Sequence, residues 1–424
     1  MTGLSDREAA VVAALDEKAL VDHLTALVRL PSISGTDAES ESQHQAARDF
    51  AEWGLDADSW RLDLHALRAD PRFPGTEVER DEAYGMVAAT GTGTPALVLQ
   101  GHIDVVPTGD PAKWDADPFA AEIRGPGRGY LHGRGSCDMK AGVAANAAVV
   151  RTLVAEGVRL DRPLAVHTVV GEEDGGLGAF ATLVRGHTGD ACVIPEPTSG
   201  RMITANAGAL TFRIEVDGRA AHASTRLAGH SAFDAFLPVY DALRDLERER
   251  NRVVDPLFGD LTLPYGLSVG IVQAGDWASS VPDRLTAHGR IGVILGEDVG
   301  AARAALEHAV AQAAARDPWL GDHPPTVTWP GGQFASGRLP DDDPLIEQVA
   351  TAAADTQGLR PTPTAGPYGS DLRLMLGIGG IPTLQYGPGA AEDAHSPRER
   401  VDLDQTIAIA RSLLVLAMRR CGTR

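Results

Sequence analysis

Cysteines, aromatic residues and long apolar runs are all scarce in this sequence of 424 residues. The three cysteines, Cys137, Cys192 and Cys421, are too few and too scattered for a disulfide framework, and none has CxxC spacing. No stretch approaches the roughly 18 consecutive apolar residues that a membrane span needs. Residues 1–20 have the pattern of an acidic amphipathic helix rather than that of a signal peptide. The sequence therefore predicts a cytoplasmic protein that has no membrane partner.

Positive charge is also in short supply. Lysine and arginine number 38 against 58 aspartates and glutamates, which gives a formal net charge of −20. An acidic surface repels phosphate backbones, so nucleic acids and anionic membranes are excluded as partners. A solvated acidic surface explains such a balance in most proteins, although excess carboxylates can also bind divalent cations. Net charge alone does not choose between these two interpretations.

The length of the chain predicts two domains, because one hydrophobic core rarely extends over so many residues. Strands, polar loops and helices alternate as far as residue 206, which is typical of an α/β sheet whose chemistry collects at the carboxyl ends of strands. From about Ala207 the pattern changes to strand, helix, two strands, helix and strand. We expect a catalytic domain formed by residues 1–206 and 325–424, and an insert formed by residues 207–324.

Apolar periodicity gives the individual elements. Helices are predicted at residues 4–29, 37–54, 231–248, 299–314 and 344–354, and a further helix between Asp138 and Ala155. Strands are predicted at residues 95–104, 164–170, 191–194, 209–216, 267–272, 285–294 and 381–386.

The first polar motif at a strand end is Gly101-His102-Ile103-Asp104. Two residues apart on an extended chain, the side chains of His102 and Asp104 share one face. A carboxylate beside an imidazole commonly orients the ring toward a metal. Polar packing without a metal is the ordinary alternative for an isolated pair of this kind.

Asp138 lies in a second motif, the glycine-rich loop GRGSCDMK, at the predicted start of a helix. Such an aspartate can simply cap the helix. Glycines that permit tight turns around it favour a functional role instead.

Adjacent carboxylates follow the next predicted strand, at Glu172 and Glu173. Like charges repel each other unless a cation or a proton compensates, so one carboxylate could bind metal while the other acts as a general base. Glu196 between two prolines, and His395 in a later loop, offer two further ligands. Charged loop and turn residues are the alternative for each motif alone. Together, two histidines and three carboxylates match the ligand count of a dinuclear zinc site.

The motifs as a set resemble a known family of dinuclear metallohydrolases. GHIDVVP, W-x-x-DPF, HGRGSCDMK, GEED, PEPT, GRAAHAS, VPDR, GSDLR and AHSPRE occur in that family's order across nearly the whole chain. The family comprises aminoacylase, acetylornithine deacetylase, succinyl-diaminopimelate desuccinylase and carboxypeptidase G, and acetylornithine deacetylase-like members are the most similar. The resemblance implies a zinc-peptidase-like α/β domain with a mixed central sheet flanked by helices. It also implies an inserted α+β, ferredoxin-like domain that serves as lid or dimerisation domain, and a homodimer.

The resemblance also implies a role for individual residues. Asp138 would bridge two divalent ions, with His102 and Glu196 completing one site and Glu173 and His395 the other. Glu172 would be the general base, Asp104 would orient His102, and the Asp138–Met139 peptide would be cis. His222 would stabilise the oxyanion across a dimer. Arg290, Arg373 and Ser370 would bind the substrate, although either arginine could instead be an ion-pair partner.

The activity that follows is hydrolysis of a linear amide C–N bond by a metal-activated water. The expected cofactor is a pair of zinc ions, with cobalt or manganese as alternatives, and the expected substrate is a small N-acyl amino acid that loses its acetyl or similar group. A dipeptidase or carboxypeptidase of the same family is the first alternative, since a peptide differs only in what flanks the scissile bond. An inactive metal-binding homologue is the second, and its signature would be a missing base or ligand.

Overall fold

The computed structural model describes residues 3–424. Met1 and Thr2, which begin the predicted amphipathic stretch and the predicted catalytic domain, lie outside the described residues. The chain divides into two units. The first comprises Met1–Thr204, Leu339–Thr364 and Asp371–Arg424, and the second comprises Ala205–Arg338 and Ala365–Ser370.

The helices, in chain order, are α1 (Asp6–Ala13), α2 (Glu17–Arg29), α3 (Asp37–Glu52), α4 (Leu64–Ala69), α5 (Ala141–Ala155), α6 (Leu177–Val184), α7 (Ala232–Arg250), α8 (Val299–Ala314), α9 (Pro318–Asp322), α10 (Pro344–Gln357), α11 (Leu372–Gly377) and α12 (Leu403–Cys421). The strands are β1 (Asp56–Arg61), β2 (Tyr84–Ala89), β3 (Leu97–His102), β4 (Glu122–Arg124), β5 (Tyr130–His132), β6 (Leu164–Val169), β7 (Cys192–Ile194), β8 (Met202–Asn206), β9 (Gly208–Asp217), β10 (Leu267–Ala274), β11 (Arg284–Val293), β12 (Thr326–Thr328), β13 (Gln333–Phe334), β14 (Gly337–Arg338), β15 (Pro363–Gly366), β16 (Thr383–Gln385) and β17 (Arg400–Asp402).

A mixed sheet forms the centre of the first unit, in the order β1-β2-β6-β3-β7-β16-β8. Its middle strands β6, β3, β7 and β16 are parallel to one another, whereas β1, β2 and β8 pair antiparallel. Every residue of β3 and β6 is buried, as expected of parallel strands covered on both faces. The predicted α/β fold with a mixed central sheet is confirmed.

One predicted helix, residues 4–29, is two helices in the structure. The side chain of Asp16 accepts a hydrogen bond from the main-chain N–H of Ala19 and caps the start of α2, so the first helix ends before it. The apolar periodicity continues across this break, which explains why the pattern alone did not reveal it.

The second unit has the predicted order of strand, helix, two strands, helix and strand, here β9, α7, β10, β11, α8 and β12. Its sheet has the antiparallel order β10-β11-β9-β12, with β13 also paired to β9, and this is the ferredoxin-like arrangement that the resemblance implied. The core of this unit lies between the sheet and α7 and α8. The unit begins near the predicted start at residue 207 and extends past the predicted end at residue 324.

Among residues 3–424, none of the helices combines the length and the apolar character that a membrane crossing requires.

Candidate active site

The predicted donors lie at the carboxyl ends of neighbouring parallel strands in the first unit. His102 is the last residue of β3, and Glu172 and Glu173 follow β6. Glu196 follows β7, and the loop after β16 leads to His395. Because β6, β3, β7 and β16 are adjacent and parallel, their carboxyl ends meet at one edge of the sheet. The fold thus explains how residues distant in the sequence come together.

Asp138 lies between the two histidines and contacts one with each carboxylate oxygen. The Oδ1 atom is 3.1 Å from Nε2 of His102, and Oδ2 is 3.5 Å from Nε2 of His395. Nε2 of His395 is also 3.0 Å from a carboxylate oxygen of Glu173, and Nε2 of His102 is 3.8 Å from one of Glu196. Donor atoms of His102, Asp138 and Glu173 lie within 4.8 Å of one another. The five predicted ligands therefore form one cluster with Asp138 at its centre.

The loop around Asp138 explains how its carboxylate reaches this position. Gly133 and Gly135 both have positive φ, which permits the tight turn before it. The helix begins only at Ala141, and Asp138 has extended φ and ψ of −115° and 102°. The expectation that Asp138 starts the helix is therefore wrong, because its side chain faces His102 instead of capping α5. The Asp138–Met139 peptide is cis, as the resemblance implied.

Asp104 contacts both His102 and the loop that carries the adjacent glutamates. The ring Nδ1 of His102 donates to the main-chain carbonyl of Asp104 at 3.0 Å, while the Asp104 carboxylate is 3.6 Å away. That carboxylate accepts the main-chain N–H of Glu172 at 3.3 Å and that of Glu173 at 3.2 Å, and also the hydroxyl of Ser34 at 3.0 Å. A carbonyl only accepts, so Nδ1 donates its proton to Asp104, and Nε2 is the ring nitrogen that faces the Asp138 carboxylate.

Burial shapes the acid–base properties of these side chains. It raises the pKa of the Glu172 carboxyl well above its ordinary value, and the nearby Asp371 and Glu196 carboxylates add to the rise. It likewise raises the pKa of Glu196 and Glu173. Such buried carboxylates are stabilised by cations.

Hydrogen bonds within the cluster shift the pKa values of Asp138 and His395 in opposite directions. Burial opposes ionisation of Asp138, but hydrogen bonds from His102 and His395 hold the pKa of its carboxyl well below the ordinary range. Hydrogen bonds that His395 donates to the carboxylates of Asp138 and Glu173 raise the pKa of its imidazole to about 11. Two imidazole nitrogens and three carboxylates make a nitrogen and oxygen donor set that fits zinc, cobalt or manganese.

Glu399 is a buried residue of the site to which sequence reasoning gave no role. One carboxylate oxygen accepts the main-chain N–H groups of Cys137 at 3.1 Å and Asp138 at 3.2 Å, and the other pairs with the buried guanidinium of Arg134. It ties the His395 loop to the Asp138 loop. Its place in the AHSPRE motif, as an acidic residue close to a proposed ligand, was the available signal.

Asp371 was also missed, although it stands inside the GSDLR motif. Its side chain is 1% exposed and accepts a hydrogen bond from Gln100 at 3.1 Å. Burial raises the pKa of its carboxyl to about 6, and its charge acts on Glu172. Its position between Ser370 and Arg373, within the same short motif, was the available signal.

A third missed feature is a buried ion network behind the Glu172–Glu173 loop. The Arg80 guanidinium lies 3.3 Å from Glu39 and 3.2 Å from Asp174, and all three side chains are buried. Glu39 also accepts the main-chain N–H of Gly171. No local pattern marks Glu39 or Arg80, since neither follows a predicted strand.

The residues predicted to bind the substrate or to stabilise its oxyanion have contacts of their own. Arg373, in the first unit, is buried and donates to the carbonyl of Gly175 at 2.7 Å. Three others belong to the second unit. There, His222 is exposed, Arg290 lies over the Phe334 ring at 5.8 Å, and Ser370 is buried and donates to Asn206 at 3.0 Å. Their roles in binding and catalysis remain predictions.

Comparison with known proteins places this arrangement in a family. The profile of peptidase family M20/M25/M40 matches residues 98–420. The chain belongs to this family. It is therefore a metal-dependent hydrolase of amide bonds whose substrates are small amides or peptides, as the sequence predicted.

Curated relatives of this M20 chain are deacylating enzymes. It is 28% identical over 357 residues to N-formyl-4-amino-5-aminomethyl-2-methylpyrimidine deformylase of Halalkalibacterium halodurans, covering 78% of this chain and 80% of the relative. It is 29% identical over 393 residues to acetylornithine deacetylase of Pectobacterium atrosepticum, covering 89% and 91%. Among solved structures, the di-peptidase Dug1p of Saccharomyces cerevisiae has a TM-score of 0.78 at 15% identity, covering 99% of each chain. The last comparison supports the M20 fold.

Proposed function

We propose that this M20 enzyme removes an N-acyl group, acetyl or similar, from a small amino-acid-like substrate. The observation that carries the proposal is the cluster of five donor residues that has Asp138 at its centre, with one further carboxylate, Glu172, beside it. Both curated relatives named above bear the names of enzymes that release a small acyl group from nitrogen, a deformylase and a deacetylase. Cleavage of an acyl–nitrogen bond is the reaction that these observations favour.

The donor set fits two divalent cations, and zinc is the ion that we propose. Asp138 would be shared between them, His102 and Glu196 would complete one site, and Glu173 and His395 the other. When bound, such ions supply Lewis acidity, which lowers the pKa of water and polarises a carbonyl group. The main-chain carbonyl of Asp104 holds His102 in the tautomer that leaves Nε2 available as a ligand.

Glu172 is the residue that moves the proton. Its carboxylate accepts a proton from the attacking water and returns it to the departing amine nitrogen. Burial and the neighbouring carboxylates raise its pKa and so make it a stronger base than an exposed glutamate. The Asp104 carboxylate fixes the main chain on which Glu172 stands. We assign the hydrogen bond to the developing oxyanion to His222, acting in the site of the partner subunit.

Recognition of the substrate carboxylate is assigned to Arg290 and Arg373, with Ser370 as a further contact. A guanidinium suits forked binding of a carboxylate. Exposure of Arg290 leaves it open to a ligand, whereas Arg373 already donates to Gly175, so Arg290 is the stronger of the two proposals.

The proposal is tested by reconstitution followed by a substrate panel. The chelator-treated enzyme receives zinc, cobalt or manganese and is offered N-formyl, N-acetyl, N-succinyl and N-carbamoyl amino acids together with dipeptides. We expect activity to rise until two equivalents of metal are bound, and to be highest with an N-formyl or N-acetyl substrate. Preference for dipeptides would replace the deacylase proposal by the dipeptidase alternative. Metal binding without any hydrolysis would indicate an inactive homologue.

A homodimer formed through the second unit is also proposed. Strand β10 lies at the edge of its sheet with exposed Ile271 and Val272, and α7 exposes Phe233, Leu237 and Tyr240. An apolar edge strand can pair antiparallel with its own copy about a two-fold axis. Light scattering should report a dimer that Val272→Glu dissociates, while the control Leu359→Glu, at an exposed site in the first unit, leaves it intact. A monomeric wild-type enzyme would contradict the proposal.

The cysteines accord with the cytoplasmic location that we propose. All three are buried and free of disulfide bonds. Reduced thiols are usual in the cytoplasm. Fractionation of the producing cell, followed by detection of the protein, tests the location.

A further inference from the structure

His222 begins a short 3₁₀ turn and caps it with its own ring. The turn covers Ala223–Ala228, and Nδ1 of His222 lies 3.1 Å from the main-chain nitrogen of Ser224 and 2.7 Å from its hydroxyl oxygen. A main-chain N–H can only donate, so Nδ1 must accept with its lone pair. The proton of the neutral imidazole is then on Nε2.

We propose that Ser224 is a positioning residue that fixes His222 in the Nε2–H tautomer and so makes Nε2 the hydrogen-bond donor to the oxyanion. This inference rests on the proposed hydrolase function and goes further, because it names the donating atom and the residue that selects it. An oxyanion needs a donor, and a ring whose Nε2 held a lone pair would repel it.

The loop that presents His222 is held on both sides. Main-chain hydrogen bonds of 2.7 and 2.8 Å join Arg219 and His230 at its base, and Ala223 donates to Ser279 at 2.9 Å. The ring of His230 stacks on that of Trp319 with centroids 4.3 Å apart. A cap on a loop fixed in this way holds the ring in one orientation, which preorganises the donor.

The Nδ1 atoms of the proposed ligand His102 and of His222 have opposite hydrogen-bonding roles. In His102, Nδ1 donates to the carbonyl of Asp104, so Nε2 is the nitrogen that would bind a metal with its lone pair. In His222, Nδ1 accepts from Ser224, so Nε2 has the proton that an oxyanion needs. The main-chain partner of Nδ1 thus selects the role of each ring.

The tautomer can be read directly by ¹⁵N NMR of histidine-labelled, metal-loaded enzyme, because protonated and unprotonated ring nitrogens have widely separated shifts. The His222 signals are assigned from their loss in His222→Asn. We expect Nε2 to be protonated and Nδ1 unprotonated. Ser224→Ala removes one of the two donors and should increase the population of the other tautomer, whereas Thr225→Ala, which loses only a contact to the His222 carbonyl, should leave the tautomer unchanged.

Kinetics provide the second readout. Glutamine places its amide N–H₂ near the position of Nε2, and asparagine places it near Nδ1. Removal of the donor in His222→Asn should lower kcat by about 10²–10³-fold with little change in KM, and His222→Gln should retain at least about ten times more kcat than His222→Asn. A proton on Nδ1, or equal kcat in the two variants, would overturn the inference and leave the hydrolase function standing. Inactivity of the wild-type enzyme on every amide would instead overturn the proposed function, and the NMR result would still report the tautomer.

Discussion

The Nδ1 atom of His102 lies 3.0 Å from the main-chain carbonyl oxygen of Asp104, so the Asp104 carboxylate is available to other hydrogen-bond donors. The carboxylate accepts the main-chain N–H groups of Glu172 and Glu173. The main chain of Asp104 therefore orients the proposed ligand His102. Its side chain orients the loop that carries Glu172 and Glu173. Both contacts are fully buried, since Asp104 is 0% exposed.

Asp104→Asn should disturb this loop without changing the volume of the side chain. The amide group replaces one acceptor oxygen by a donor, which then opposes an N–H or hydroxyl donor. We expect metal affinity to fall by about 10–100-fold, as is common when a partner behind a ligand is lost. Competition with a chelator of known affinity measures it.

Ser34→Ala is the matched control for Asp104→Asn, because it removes one hydrogen bond to the same carboxylate and leaves both main-chain contacts. Its metal affinity should stay near that of the wild type. Equal losses in the two variants would show that the contacts to the Glu172–Glu173 loop are unimportant.

Glu399→Gln should destabilise the fold as well as the site. Glu399 and Arg134 are buried ion-pair partners, and loss of one leaves the other charge unpaired in the interior. The expected loss is about 3–5 kcal/mol in the free energy of unfolding. Urea unfolding of the metal-free protein measures this quantity.

A double variant distinguishes the effect of the unpaired charge on stability from the effect of altered packing at Glu399. In Glu399→Gln with Arg134→Met, no unpaired charge remains, so the loss should be smaller than in Glu399→Gln alone. A double variant that is as unstable as the sum of the two single variants would argue against an interaction between these residues.

Buried His167, which lies outside the active site, should make the free energy of unfolding depend on pH. It is 1% exposed, neither ring nitrogen has a hydrogen-bond partner among residues 3–424, and burial followed by the charge of His187 lowers its pKa to about 3. The unfolded chain takes up this proton near pH 6.5 and the folded chain does not. Stability should therefore fall as the pH is lowered from about 6.5 toward 3, by up to about 1.4 kcal/mol per pH unit from this group.

His167→Leu should remove this contribution of His167 to the pH dependence of stability. At pH 7.5 the variant should be as stable as the wild type or more stable, because a buried unpaired polar group is lost. Between pH 6.5 and 5 its free energy of unfolding should depend less steeply on pH, as measured by urea unfolding of the metal-free proteins. Parallel curves for the two proteins would show that His167 is not buried in its neutral form.

Local patterns in the sequence predicted most of the fold. The buried strands β3 and β6 appear as continuous apolar runs, and the order of elements in the second unit follows from the change in periodicity after Ala207. The five ligands stood in polar motifs at strand ends. What the pattern could not give was the break before α2, since one capping aspartate interrupts an otherwise continuous helical period.

The supporting residues of the site were harder to predict. Glu39 and Arg80 come from segments with no motif, and they meet Asp174 only because the chain folds back. Nδ1 of His102 lies 3.0 Å from the main-chain carbonyl oxygen of Asp104 and 3.6 Å from its carboxylate. Sequence spacing does not show which of these two oxygens orients the ring. Tertiary contacts of this kind depend on how distant segments fold together and not on local sequence.

In the proposed mechanism, Glu172 moves the proton while its neighbour Glu173 binds metal. The most direct measurement is kcat/KM of Glu172→Gln on an N-acyl substrate, with metal content determined on the same sample and Glu173→Gln as the matched control. We predict that Glu172→Gln keeps the metal content of the wild type and loses about 10²–10⁴-fold in kcat/KM, whereas Glu173→Gln loses metal. Wild-type activity in Glu172→Gln, or loss of metal from it, would contradict this assignment.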